Sequence, residues 1–310
     1  MVAYLRAKDH QIVRLLRTKQ QLIELLNEQK QTIIQRAVTR GLDPDAPTKP
    51  TGLDWLPEVP EHWEIRRLRS CFSSVVSGLW GDDPSPDRVD NHIVCVRVAD
   101  FDIKSLSVSD ARLTVRSVPE HTRHSRLLQA KDLLIEKSGG GDSEPVGRIV
   151  MFDLDCQAIC SNFVSRIRPK KDIVRSEFLL YVLSFLQSSR RSVPSIKQTT
   201  GIQNLNERHY FAQPFPVPPL NEQDRIIDFI ESQLQEIRTV QARVYREIDL
   251  IREYRTRLVS DVVTGKLDVR EAELPEPVAS DEEARKSPDG LESIVTADLP
   301  DTEEAINADL

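Results

Sequence analysis

Two polar segments in the middle of the chain hold the residues best suited to chemistry. The first contains Lys137, Ser138, Gly139, Gly140 and Gly141, with Arg148 seven residues beyond the last glycine. Glycines without a Cβ let backbone N–H groups approach an anion closely, and Lys137 and Arg148 add positive charge. The same glycines would equally make a flexible hairpin tip. The second segment, KQTTGIQN, places Lys197, Gln198, Thr199, Thr200, Gln203 and Asn204 around Gly201. Asn and Gln side chains pair in bidentate fashion with an adenine edge, and Thr hydroxyls serve base or phosphate. The plainer alternative is a satisfied polar turn. Arg190 and Arg191 come shortly before and offer two guanidiniums to phosphate, or form a solvated helix end. All of this is binding chemistry, with hydrogen bonds to base edges and phosphates and no bond made or broken.

Motifs for catalysis do not assemble. KSGGGDSEPVG lacks the spacing of a dinucleotide fingerprint, and no Walker lysine motif occurs. VPPL at Val217 is not the tetrapeptide of an adenine methyltransferase. His62, His92, His121, His124 and His209 show no metal-like spacing beyond His121-x-x-His124. Asp153 and Asp155 have no nearby lysine to complete a nuclease-type metal site. Cys71, Cys95, Cys156 and Cys160 form no CxxC pair, so buried free thiols are expected. No catalytic residue, metal ligand or cofactor is therefore assigned.

Charge is unevenly placed. The chain of 310 residues carries −7, yet the tail from Glu271 has 13 acidic residues against Arg285 and Lys286. The rest of the chain is positive, as suits a protein that neutralises some phosphates. The tail is acidic and poor in aromatic residues, which predicts disorder over 271–310.

Long helices must position the polar segments, because the chain repeats itself at an offset of 225 residues. LLNEQKQTIIQRAVTRGLD, starting at Leu25, aligns without gaps on LIREYRTRLVSDVVTGKLD, starting at Leu250. Upstream of the shared VT, glycine and LD signature, apolar residues recur at alternating spacings of three and four, the period of paired helices. In the first copy the series includes Leu5, Asp9, Ile12, Leu16, Lys19, Ile23 and Lys30; in the second, Ile237, Gln241, Val244, Ile248, Arg255 and Leu258. A polar residue at such a position costs stability and can fix register. Each helix would run about 40 residues, roughly 60 Å, and stop at Gly41 or Gly265.

Between the helices, the proline-rich residues 44–64 read as an extended linker in which Trp55 and Trp63 anchor the chain to a core. Short apolar runs broken by turns then predict a mixed domain over 65–215, with one helix at residues 176–188. The second helix occupies 216–270, and Asn221 is the expected cap, with Asp224 three residues later. The fold class is α+β: one mixed α/β domain between two long helices, 1–43 and 216–270, pairing as an antiparallel coiled coil, followed by a disordered acidic tail.

In order along the chain, WLPEVPEHWEIRRL, KSGGGDSEPVGR, SNFVSRIRP, TTGIQNL, FPVPPLNEQDRI and RLVSDVVTGKLDVR resemble the specificity subunit of Type I restriction-modification systems. The resemblance implies a target-recognition domain that reads half of a bipartite site on double-stranded DNA. It further implies helices that set the half-site spacing and dock methyltransferase (M) subunits, with a restriction (R) subunit as a further partner. The full family pattern has two recognition domains, whereas here there is one. Nothing before the first helix corresponds to PPLNEQDRI, so the chain is similar to the C-terminal half of such a subunit. That implies a homodimer, pairing with a separately encoded half, or a truncated inactive remnant.

Two rivals remain at this level. A coiled-coil scaffold would use the same helices but leaves the polar segments unexplained, and an enzyme lacks a nucleophile with its base. No apolar run approaches the roughly 18 residues that span a bilayer, and the first residues have no leader-like apolar core, so a cytoplasmic location is expected.

Overall fold

The computed structural model describes residues 1–141, 144–199, 201–270 and 272. The tail expected to be disordered lies, apart from Ala272, outside the described residues, as does Thr200. Helix α1 spans Val2–Arg40. Strands β1 (Thr48–Leu53), β2 (Leu56–Pro60), β3 (Glu64–Arg67), β4 (Phe72–Ser77), β5 (His92–Val96), β6 (Phe101–Asp102), β7 (Ser107–Val108) and β8 (Thr114–Ser117) follow. After the one-turn helix α2 (Glu120–Arg123) come β9 (Asp132–Glu136), β10 (Ser138–Gly139), β11 (Ile149–Phe152), β12 (Ala158–Cys160) and β13 (Val164–Pro169). Helix α3 (Ser176–Ser188), β14 (Ile196–Thr199), β15 (Ile202–Leu205), α4 (Glu207–Tyr210), β16 (Pro214–Val217) and α5 (Leu220–Val263) complete the order.

The chain forms two compact units. One holds residues 1–28 and the described residues from 236 onward; the other holds 29–235. In the first, Ile12, Leu16 and Ile23 of α1 pack with Val244, Ile248, Leu258 and Val262 of α5, as the heptad spacing predicts. Polar pairs flank this seam: Asn27 with Gln241 at 2.8 Å, Lys19 with Glu247 at 2.5 Å and Asp9 with Arg255 at 2.7 Å. As the number on α1 falls, its partner on α5 rises, so the helices run antiparallel.

Both helices end where a glycine adopts the left-handed conformation. Gly41 and Gly265 each have φ of 73°. At Gly41 a Cβ would also lie 3.2 Å from both the Trp63 ring and Glu222 Oε1.

In the second unit a six-stranded sheet, ordered β4-β13-β9-β11-β7-β6, is antiparallel except where β11 meets β7. A three-stranded sheet, β12-β5-β8, adjoins it through the cluster of Val96, Leu134, Val150, Ala158 and Val164. Strand β9 is buried along its whole length, which its apolar run DLLIE allows. Its acidic ends are neutralised internally: Asp132 accepts two bonds from Arg168 at 2.6 and 2.8 Å, and Glu136 is held by Arg148. Helix α3 lies against β9 and β11 and coincides with the helix read from sequence.

Three local expectations change. The proline-rich linker is folded, with β1 and β2 forming a hairpin that buries Leu56 and Val59. Cys156 is exposed, whereas Cys71, Cys95 and Cys160 are buried free thiols. Asn221 lies inside the first turn of α5 and not at its cap, because the helix begins at Leu220. The polar residues after it instead fasten the helix to the domain. Glu222 accepts from the fully buried Trp63 at 3.1 Å and contacts His62 at 2.6 Å. Gln223 accepts from the Arg175 backbone and donates to the Ile173 and Pro218 carbonyls. Asp224 takes a bidentate pair from Arg175 at 2.7 and 3.0 Å. Among the described residues no helix is long and apolar enough to cross a membrane.

Candidate nucleic-acid interface

The two polar segments singled out in the sequence meet in one small sheet, ordered β10-β15-β14. Ser138 stands opposite Asn204, and Asn204 opposite Lys197; Gly139 stands opposite Gln203, and Gln203 opposite Gln198. Ser138 Oγ donates to Asn204 Oδ1 at 2.8 Å across the strands. On β15 exposure alternates, so Ile202 and Asn204 face outward while Gln203 and Leu205 are buried. Lys197 and Gln198 are exposed beside them. Thr199 closes β14 opposite Ile202.

Gln203 plays a supporting part. At 5% exposure its Oε1 accepts the backbone N–H of Val146 at 3.1 Å, so it pins the loop between β10 and β11 to the sheet. Gly140 completes this contact: with φ of 59°, any Cβ there would stand 2.6 Å from the Val146 nitrogen. Lys137 is anchored at both ends, its N–H donating to the Phe163 carbonyl at 2.9 Å and its ammonium reaching Ser77 Oγ. Arg148 donates twice to the buried Glu136, at 2.9 and 3.1 Å. Much of its charge is therefore met inside the protein, and the hydrogen bonds to Glu136 hold its guanidinium above its ordinary range.

Arg190 and Arg191 end α3. The Arg190 N–H reaches the Gln187 carbonyl and the Arg191 N–H the Leu186 carbonyl, the Schellman pattern, with Arg190 in the left-handed conformation at φ 57°. Both are exposed, and Arg191 lies 5.2 Å over the Trp55 ring, which itself packs near Phe185 and Phe215. Gln187 donates to the Pro145 carbonyl, and Ser192 lies against Gly147. The helix end thus abuts the loop that Gln203 holds, and the candidate residues form one neighbourhood.

Beside the small sheet opens a cavity of about 640 Å³, lined in part by Ser138, Gly139, Gly140 and Arg148. Its other walls include Trp80, Arg97, Phe163 and Ile202, none of which was singled out from sequence. Trp80, Phe163 and Ile202 are 38%, 49% and 52% exposed, high for large apolar groups clustered round one opening. Arg116 stacks 4.5 Å over the Trp80 ring. Arg97 is held by buried Asp100, whose hydrogen bond keeps that guanidinium above its ordinary range. A lone tryptophan followed by Gly81 was the available signal for this rim; Arg97 and Phe163 sit in apolar runs that read simply as strands. Among the described residues no group of His, Cys, Asp and Glu could hold a metal ion.

Residues 107–248 match the family model described as the Type I restriction modification DNA specificity domain. The chain is 21% identical over 213 residues to the Type I restriction enzyme EcoKI specificity subunit of Escherichia coli, which takes in 68% of this chain and 44% of that protein. It is 22% identical over 192 residues to the Type I restriction enzyme StySPI specificity subunit of Salmonella potsdam, covering 61% and 41%. The chain thus spans less than half the length of these curated relatives. Its fold is similar to that of a chain in a structure described as the basis of complex assembly and conformational transition of the type I R-M system. The TM-score there is 0.60 at 17% identity, over 84% of this chain and 57% of that one. By its matched domain and its relatives, the chain is similar to the specificity subunits of Type I restriction-modification systems.

Proposed function

We propose that the chain is a non-catalytic DNA-recognition subunit whose one domain reads half of a bipartite site on duplex DNA and whose paired helices dock methyltransferase subunits. The observation that carries this reading is the convergence of KSGGG and KQTTGIQN in one sheet, with Lys197, Gln198 and Asn204 on its exposed surface. Exposed amide and ammonium groups at this spacing suit base edges and phosphates, respectively. Arg190 and Arg191 extend the same neighbourhood and would contact phosphate. Methyl transfer, with S-adenosylmethionine, and any cleavage by a restriction subunit would belong to the partners. A second recognition domain would come from a second copy of this chain or from a separately encoded half. The test is to express the chain with the methyltransferase subunit of its own operon and map adenine methylation on host DNA. An interrupted palindrome is expected from a homodimer, because a two-fold protein is mirrored in its site, and an asymmetric bipartite site from pairing in trans. No methylation from a soluble complex would overturn the reading in favour of an inactive remnant.

A further inference from the structure

Arg97 stands at the N-terminal end of a single 3-10 turn, Val98–Asp100, and one carboxylate fixes both its backbone and its side chain. Asp100, only 6% exposed, accepts from the Arg97 backbone N–H at 2.7 Å, from Nη2 at 2.8 Å and from Nε at 3.3 Å. The Nε–Nη2 side of the guanidinium is therefore occupied. Nη1 and the second Nη2 hydrogen make the opposite edge, where Nη2 approaches the Arg112 carbonyl at 3.5 Å, the outer limit of a hydrogen bond. The side chain is 35% exposed and lines the cavity that Trp80, Phe163 and Ile202 rim.

Two physical consequences bear on what this arginine does. Paired with Asp100 it has almost no net charge, so it would contribute little to counterion release and makes a poor phosphate clamp. Its donors, however, are already oriented, so the rotamer entropy an arginine loses on binding has been lost on folding. Directional donors without net charge, next to apolar side chains, suit a base edge better than a phosphate. We infer that Arg97 is a specificity-determining residue that donates in bidentate fashion to O6 and N7 of one guanine in the half-site, with Asp100 as its positioning residue. The inference rests on the DNA-reading proposal above.

The test is selection of randomised duplexes on the chain bound to its methyltransferase subunit, comparing wild type with Arg97→Gln and Arg97→Ala. The wild-type complex is expected to recover a motif containing a guanine. Arg97→Gln should turn that one position toward adenine, and Arg97→Ala should make it indifferent, a loss of discrimination of about tenfold or more, with all other positions unchanged. Asp100→Asn should weaken selectivity at the same position. Thermal melting of each variant accompanies the selection, and Arg97→Lys, which keeps the charge and loses the fork, replaces any variant that fails to fold. A motif unchanged in the folded variants overturns the inference, as does uniform weakening at every position with a shallower salt dependence, which would make Arg97 a phosphate contact. If the wild-type complex itself selects no motif, the DNA-reading proposal fails, and this inference with it.

Discussion

Arg255 donates from Nε to Asp9 Oδ1 at 2.7 Å across 246 residues of sequence, and both stand in the heptad series that the repeat displays. Side chains so placed interrupt an apolar seam with a pair that is satisfied in one register only. Both are more than 30% exposed, so the pair contributes at most about 1 kcal/mol. Its main effect is on which turns of α1 and α5 face each other.

Replacing both residues together, Asp9→Leu with Arg255→Leu, is therefore expected to raise the melting temperature while loosening register. Nitroxide distances between α1 and α5 should broaden. Ile248→Ala, at a site 2% exposed, should instead cost about 2–5 kcal/mol by urea unfolding. A double variant that loses as much stability as Ile248→Ala would contradict this account.

Gln203→Ala should destabilise the second unit by about 1–3 kcal/mol, because it leaves the buried Val146 N–H without its acceptor. Gln203→Glu retains an acceptor oxygen and should recover part of that loss. Equal melting temperatures for wild type and Gln203→Ala would show that Gln203 does not hold the loop.

Arg190→Gly is expected to stabilise the chain by about 1 kcal/mol, since a residue with a Cβ stands at φ 57° in the helix-ending turn. If Arg190 also meets phosphate as proposed, the same variant binds DNA more weakly. A less stable variant would mean that the side chain's own contacts outweigh the backbone strain.

Lys197→Ala tests phosphate contact by the exposed end of the small sheet. Binding should weaken by a similar factor for every sequence, and the slope of log affinity against log salt should become shallower by about one. Loss of selectivity at a single position with an unchanged slope would place Lys197 on a base.

Stability should fall in alkali. Burial raises the Cys95 thiol from 9.0 to about 11 and the Cys160 thiol to about 12. Below pH 9 both states keep these protons and the contribution is complete. Between pH 9 and 11 the unfolded chain releases them while the folded chain retains them, so unfolding liberates protons and stability declines as pH rises. The urea midpoint should drop from pH 8 to pH 10, and less steeply in Cys95→Ala and Cys160→Ala. A midpoint that is flat over this range would refute the assignment.

Periodicity and repeat alone determined the long helices, their pairing and the glycines that end them, because helix formation and heptad burial are written in spacings of three and four, while the cross-helix pairs such as Asp9–Arg255 and Asn27–Gln241 fix the antiparallel direction. Strands β5, β9, β11, β12 and β13 were legible as short apolar runs broken by turn residues, and the helix Ser176–Ser188 as a longer apolar stretch, whereas β7 and β8 were not. The two polar segments were legible as residue types. Only the tertiary structure decided that Ser138 lies across from Asn204, that Gln203 turns inward to Val146, and that Arg148 and Arg97 are held by Glu136 and Asp100. For Ser138–Asn204 and Gln203–Val146 the partners lie more than fifty residues apart in sequence, and for these two and Arg148–Glu136 the arrangement is fixed by sheet closure and burial, which leave no periodic trace. The short-range pair Arg97 and Asp100 was hidden for another reason: a three-residue turn inside an apolar run carries the same letters as a strand until its dihedral angles are known.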